Sequence, residues 1–168
     1  MLGIIILGIS LYLDGFLTLF LPYVPGEISL LTPMFTIVSI LIVYPLYRKK
    51  EKEYFITLFI LGILYDLLYT NLLFYDSLVF ILFGFIIKKI YKNLDVRHIK
   101  LSLYIIVLIV IYELLMSLMI IIFNLVPITP IRIIYKITHS IIINVIYGEL
   151  LYTIVKYLPK KLKRISIN

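Results

Sequence analysis

The sequence predicts an all-α integral membrane protein: a compact bundle of about six transmembrane helices with both termini in the cytoplasm. Three observations predict it: an extreme apolar composition, a regular series of apolar runs, and basic residues confined to alternate loops. Hydrophobic residues make up 63% of the 168 residues, charged residues 15%, and the mean hydropathy is +1.14. These values lie far outside those of soluble domains. At about 20 apolar residues per crossing, the chain forms one polytopic domain, 1–168.

Apolar runs separated by helix-breaking residues predict where the crossings lie. Pro22 and Pro25 interrupt the chain after the first run, residues 71–77 can form a tight turn after the third, and Pro127 and Pro130 follow the fifth. The predicted spans are about 2–21, 30–47, 54–72, 77–90, 101–123 and 133–157.

The basic residues indicate the orientation, because short loops rich in Lys and Arg stay in the cytoplasm. Fourteen of the sixteen basic residues, all except Arg132 and Lys136, fall on one side of a six-span chain. The predicted cytoplasmic loops contain Arg48, Lys49, Lys50, Lys52, Lys88, Lys89, Lys92, Arg97 and Lys100. The +7 formal charge is therefore read as membrane topology, with contacts to anionic lipid and not to nucleic acid.

Three carboxylates lie inside predicted spans. Asp14, Asp66 and Glu113 each follow the start of an odd-numbered span by twelve residues. At about 1.5 Å per residue, each should lie ~18 Å from the cytoplasmic boundary of a core ~30 Å thick. An unpartnered charge at this depth costs about 2.5–3.5 kcal/mol or more, so these acids are candidate functional or assembly residues.

Small and hydrogen-bonding residues accompany these acids at helical spacing. Such rows favour close helix packing, so we expect them to face the bundle interior or a partner helix, not lipid. Together with the acids, the predicted polar layer contains Ser10, Thr18, Gly62, Thr70, Ser117, His139 and Asn144.

Three roles remain open for the acids at this point. They can be protonated or hydrogen-bonded links between helices, members of a proton or ion relay, or a docking site for a partner's transmembrane helix. No nucleophile-elbow or phosphate-loop motif occurs, no Cys is present, and no cluster has metal-ligand spacing. The sequence therefore predicts no enzyme activity and no cofactor or metal.

Several segments resemble a known family. They are LYLDG at 11–15, the basic hairpin RKKEKEYF at 48–55, and above all GILYDLLYTNLLFYDSLVF at 62–80, followed by KKIYK at 88–92. In their sequence and in their order along the chain, these segments resemble MreD, the rod shape-determining membrane protein family. The resemblance spans essentially the whole chain, and Gly62–Asp66 is its most specific element.

The resemblance implies a non-enzymatic membrane scaffold of the cell-wall elongation machinery in the bacterial plasma membrane. Such a protein would bind the transmembrane helix of MreC and associate with the MreB system, the RodA polymerase and its class B transpeptidase. It would help to maintain rod shape and guide peptidoglycan synthesis.

The MreD family is also similar in fold to the substrate-binding subunits of energy-coupling-factor vitamin transporters, and such a subunit is the alternative function. The chain contains no Ala for the Ala-x-x-x-Ala packing expected in the first helix of that class.

Overall fold

The computed structural model describes residues 2–20, 32–70, 74–93, 98–123 and 129–157. These ranges are helical apart from short connections, which confirms the all-α class for this part of the chain. The α-helices in it are α1 Leu2–Phe20, α2 Phe35–Val43, α3 Glu51–Tyr65, α4 Tyr75–Asn93, α5 His98–Ile122 and α6 Pro130–Tyr157.

Two helices continue with a different winding. Because Pro45 has no backbone N–H to donate, α2 passes into a 3₁₀ turn at Tyr44–Tyr47. The α-helical winding of α3 ends at Tyr65, and the chain continues as a π-helical turn over Asp66–Thr70. Such π turns are often found where a helix serves a local function, and this one begins at a buried carboxylate.

Consecutive helices pair as antiparallel hairpins. In α1/α2, Ser10 near the middle of one helix lies 2.6 Å from Ser39 of the other. In α5/α6, the Ser102 hydroxyl near the start of α5 donates to Glu149 near the end of α6 over 2.7 Å. In α3/α4, Gly62 lies directly against the backbone at the start of α4. The described bundle is therefore built from three hairpins.

Helix α2 forms the centre of the bundle. Every residue from Phe35 to Val43 is buried, as expected for a helix that is apolar on all sides. The other helices keep one side exposed, and large apolar side chains cover those sides, including Ile4, Leu19, Leu82, Phe85, Ile142 and Ile154. So much exposed apolar surface is unfavourable in water, whereas contact with lipid would cover it.

Three helices of the described part are long and apolar enough to cross a membrane: residues 2–19, 100–122 and 133–157. The segment Phe35–Tyr47 is a shorter apolar helix. The change of winding at Asp66 limits the α-helical part of α3 to 15 residues, and the lysines near the end of α4 reduce its hydropathy. Six crossings with both termini in the cytoplasm therefore stay a prediction.

Gly62 supplies a test of the α3/α4 packing. A Cβ atom built at Gly62 would collide with the backbone of Ser77, whereas one at Gly8 would meet nothing within 4 Å. We expect Gly62→Ala to destabilise the fold by about 1–3 kcal/mol, because the two helices would have to separate. Thermal unfolding in detergent measures this, with Gly8→Ala as the matched control. Equal melting temperatures for the two variants would contradict the close approach.

Candidate functional site

Asp14 caps the start of the central helix from the neighbouring helix. Its carboxylate is 3% exposed, and its two oxygens accept hydrogen bonds from the backbone N–H groups of Phe35 and Thr36, over 2.6 and 2.9 Å. The first turn of a helix has no intrahelical partners for its N–H groups. A carboxylate there satisfies those donors and is also favoured by the helix dipole.

Asn144 of α6 binds the same helix start. Its Oδ1 accepts from the N–H of Met34 at 2.7 Å, and its Nδ2 donates to the carbonyls of Thr32 and Ser140 at 2.9 and 2.7 Å. Three consecutive amides at the start of α2, those of residues 34–36, are therefore bound by side chains from α1 and α6. These contacts connect three helices in the interior.

Asp66 makes the equivalent contact in the second hairpin. It is fully buried, and its oxygens accept from the N–H of Asp76 at 2.8 Å and from the N–H and hydroxyl of Ser77 at 3.4 and 3.2 Å. Phe74, just before α4, has a φ of 68°, a left-handed conformation that is uncommon for a large side chain. The strained turn presents the first amides of α4 to Asp66.

Asp76 extends this cluster to α5. It is fully buried in the first turn of α4, and its Oδ1 accepts a hydrogen bond from the Tyr112 hydroxyl at 3.0 Å. The side chain of Asp66, one helix earlier in the chain, binds the N–H groups of Asp76 and Ser77 at this helix start.

Glu113 of α5 has a different partner. One carboxylate oxygen lies 3.2 Å from the ammonium of Lys136 on α6. The Glu113 side chain is 1% exposed and that of Lys136 is 42% exposed, so the pair joins a buried anion to a cation at the bundle surface. The cation offsets the cost of burying the carboxylate, a cost that is large for an isolated charge.

Ser10 belongs to a hydroxyl cluster in the same interior. Its Oγ lies 2.6 Å from Ser39 on α2 and 2.7 Å from the Tyr147 hydroxyl on α6, and it donates to the Ile6 carbonyl. The Phe35 and Tyr147 rings stack with centroids 4.0 Å apart. The cluster connects α1, α2 and α6 one turn from Asp14.

Two further members of the predicted polar layer, Thr18 and His139, make contacts within their own helices. Thr18 is exposed, donates to the Gly15 carbonyl of its own helix, and lines a surface cavity beside α1. His139 is half-buried, and its Nδ1 lies 2.8 Å from the Tyr135 carbonyl on its own helix. Ser117 is buried on α5. Thr70 ends the π turn, and its side chain lies outside the described residues.

The predicted basic loops lie at one end of the hairpins, where α3 begins and α4 ends. Lys88 of α4 is 2.5 Å from Glu51 of α3, and Lys50 is 3.3 Å from Glu53. Within these loops, the exposed basic residues among those described are Arg48, Lys49, Lys52, Lys89 and Lys100. Arg97 and the side chain of Lys92 lie outside the described residues.

Two cavities lie along the exposed side of α1, against α3 and the π turn that continues it, and together they are called the groove between α1 and α3. One cavity of about 560 Å³ is lined by Gly8, Gly15, Phe16, Leu68 and Tyr69 among others. A second, of about 260 Å³, is lined by Gly3, Tyr47, Ile56 and Ile60 among others, nearer the basic end. Both are predominantly apolar. The Tyr69 side chain lies against Gly15, and its hydroxyl donates to the Leu11 carbonyl at 2.7 Å.

Sequence reasoning missed several interior partners: Ser39, Asp76, Lys136 and Tyr147. A usable signal existed, because polar residues that lie at similar depth on consecutive antiparallel helices can meet. Lys136 and Glu113 satisfy that rule and carry opposite charges. From the sequence, Lys136 stands out only as one of the two basic residues that do not fall on the predicted cytoplasmic side. Within the described residues, no group of three or more His, Cys, Asp or Glu could hold a metal ion.

Comparison of the sequence with protein families identifies the family of this chain. The family model for the rod shape-determining protein MreD matches residues 1–162. The chain belongs to the MreD family. No curated protein and no solved structure matches the chain. The predicted similarity of fold to the transporter subunits therefore stays a prediction.

Membership of the MreD family implies a role in rod shape determination. It also agrees with the apolar helices in indicating a membrane protein. The family is one of shape-determining structural proteins, which agrees with the expectation of a non-enzymatic function.

The cap at the start of α4 predicts a strong effect of removing Asp66. Asp66→Leu leaves the buried N–H groups of Asp76 and Ser77 without this acceptor, at about 1–3 kcal/mol for each unsatisfied group. We expect a large loss of thermal stability in detergent. Thr18→Val, which removes only a hydroxyl bonded within α1, is the control and should unfold close to wild type. Wild-type stability of Asp66→Leu would refute the cap.

The Glu113–Lys136 pair predicts an asymmetric double-mutant cycle. Lys136→Met leaves a buried carboxylate without its cation and should destabilise more than Glu113→Gln combined with Lys136→Met, which removes both charges. Thermal unfolding of the wild type, both single variants and the double variant gives the coupling energy. Additive effects would show that the two side chains do not interact.

Proposed function

We propose that this protein is a non-enzymatic, multi-pass scaffold of the cell-wall elongation machinery in the bacterial plasma membrane. It binds the transmembrane helix of MreC in the groove between α1 and α3, and so helps to maintain rod shape and guide peptidoglycan synthesis. The observation that carries the proposal is the groove itself, together with membership of the MreD family.

The groove has the features of a seat for one apolar helix. Three glycines of α1 line it: Gly3 and Gly15 lie against the Tyr47 and Tyr69 side chains, whereas Gly8 is uncovered, and a small residue there lets a second helix backbone approach closely in lipid. Gly8 leaves open space, since a Cβ atom there would meet nothing within 4 Å. From Gly3 to Leu19 the lining extends ~24 Å along α1, which approaches the ~30 Å thickness of the bilayer core.

Two buried acids fix the position of the helices that form this groove. Asp14 on α1 and Asp66 on α3 each bind the start of the next helix, so the two groove-forming helices are tied to α2 and α4. Both carboxylates point to the interior and not toward a partner. Among the three roles left open by the sequence, hydrogen-bonded linkage between helices is therefore the one that we propose for them.

The basic end of the bundle is proposed to face the cytoplasm, which gives the six-span arrangement with both termini inside. There the protein would meet the MreB system, while RodA and its class B transpeptidase would associate within the membrane. The positive charge is used for orientation and for contacts with lipid headgroups, and no nucleic acid is required as a partner.

Filling the groove tests the proposal. Gly8→Leu adds an isobutyl group where the fold has free space, so the protein should remain stable while co-purification of MreC falls at least tenfold. Ile146→Phe enlarges an exposed side chain of α6, away from the groove, and serves as the control. The measurements are thermal stability, recovery of MreC from detergent extracts, and cell shape after replacement of the chromosomal copy.

Wild-type recovery of MreC by a stable Gly8→Leu protein would exclude the groove as the binding site. The alternative function has its own signature. A vitamin retained by the purified chain, or vitamin uptake together with an energising module, would identify a transporter subunit instead of a scaffold.

A further inference from the structure

A small cavity lies at the basic end of the bundle, where three helix ends meet. It has a volume of about 180 Å³ and is lined by Tyr44, Arg48, Glu51, Lys88 and Tyr91. These residues come from the 3₁₀ turn after α2, the start of α3 and the end of α4. The cavity is separate from the polar layer and from the groove between α1 and α3.

The charges of this cavity favour an anion. Lys88 contacts Glu51 at 2.5 Å, and both side chains remain about two-fifths exposed. Within the described ranges no carboxylate forms an ion pair with Arg48, which is exposed at the rim. Two cations and one carboxylate leave a net charge of +1, and the Arg48 guanidinium is free to bind two oxygens of one phosphate.

Two tyrosines form the inner wall. The Tyr44 and Tyr91 rings pack with centroids 5.3 Å apart, and Tyr44 is 4% exposed. Phenolic hydroxyls lining a cationic cavity can donate to phosphate oxygens. The volume is below the 300 Å³ or more of typical sites for whole small molecules, so the cavity is suited to a single headgroup.

Apolar surface continues from the cavity along α4. Leu78, Leu82 and Phe85 are 66%, 48% and 60% exposed, and their spacing places them on one side of the helix. Phe85 precedes Lys88 by three residues, so this stripe ends one turn below the ammonium. A cationic cavity above an exposed apolar stripe matches a lipid with an anionic headgroup and extended acyl chains, whereas free phosphate would need no stripe.

We propose that this cavity binds the phosphate headgroup of an anionic phospholipid, with Arg48 and Lys88 as headgroup ligands and the α4 stripe in contact with an acyl chain. The proposal uses the orientation under which the basic end faces the cytoplasm. Basic pockets between helices on that side are established sites for acidic headgroups in membrane proteins. A lipid seated there would connect α2, α3 and α4 at their ends.

Native mass spectrometry of the full chain in neutral detergent tests the site. The probes are phosphatidylglycerol, phosphatidylcholine and inorganic phosphate. We expect one phosphatidylglycerol to bind in preference to phosphatidylcholine, and Arg48→Gln to weaken its binding roughly tenfold, because one charge-assisted contact is lost. Lys49→Gln, an adjacent exposed cation that does not line the cavity, should change binding less than about twofold.

Equal weakening by Arg48→Gln and Lys49→Gln would indicate general attraction to charge and overturn the site. So would displacement of the bound lipid by equimolar inorganic phosphate, which would identify the soluble ion as the ligand. Arg48→Gln keeps the Lys88–Glu51 pair intact, and its melting temperature without lipid verifies folding. Because MreC is absent from the assay, failure here is distinct from failure of the proposed scaffold function.

Discussion

The fold depends on one kind of contact: a buried carboxylate that binds the first amides of the next helix. A helix start leaves its N–H groups without intrahelical partners, and lipid or a dry interior offers none. Asp14 satisfies α2 and Asp66 satisfies α4, each from the preceding helix. Helix α2 can therefore begin beside Asp14, well inside the bundle, and still have the amides of residues 34–36 bonded. Without these acceptors, a short central helix with a buried start would carry a prohibitive cost.

The third hairpin meets a buried acid differently. Glu113 pairs with Lys136 on α6 instead of with a helix start, and the exposed side of Lys136 brings a charge to the bundle surface. The first two hairpins are thus joined through the backbone amides of a helix start, whereas α5 and α6 are joined by the side-chain pairs Glu113–Lys136 and Ser102–Glu149.

The polar interior and the proposed binding surfaces are spatially separate. Asp14, Asp66 and Glu113, for which the sequence left docking open, bind groups of this chain inside the bundle. The surfaces that remain for a partner or a lipid are an apolar groove and a small cationic cavity. Such a division suits the proposed scaffold function, because a bonded interior can hold an outer groove in shape without taking part in binding. A glycine contributes to each part: Gly62 lets α3 pack directly against α4 in the interior, and Gly8 leaves open space in the outer groove.

The sequence by itself determined the all-α class and most of the helical segments, because composition and apolar periodicity are local properties of the chain, and it predicts a shared depth for the three acids. The sequence around Asp66 also indicated the family. Only the tertiary structure decided which groups meet. Thr18 and His139 have the spacing of interior residues yet bond within their own helices, and Lys136 pairs with Glu113. Equal depth does not specify the direction in which a side chain points around its helix, and that direction is set by packing among helices distant in sequence.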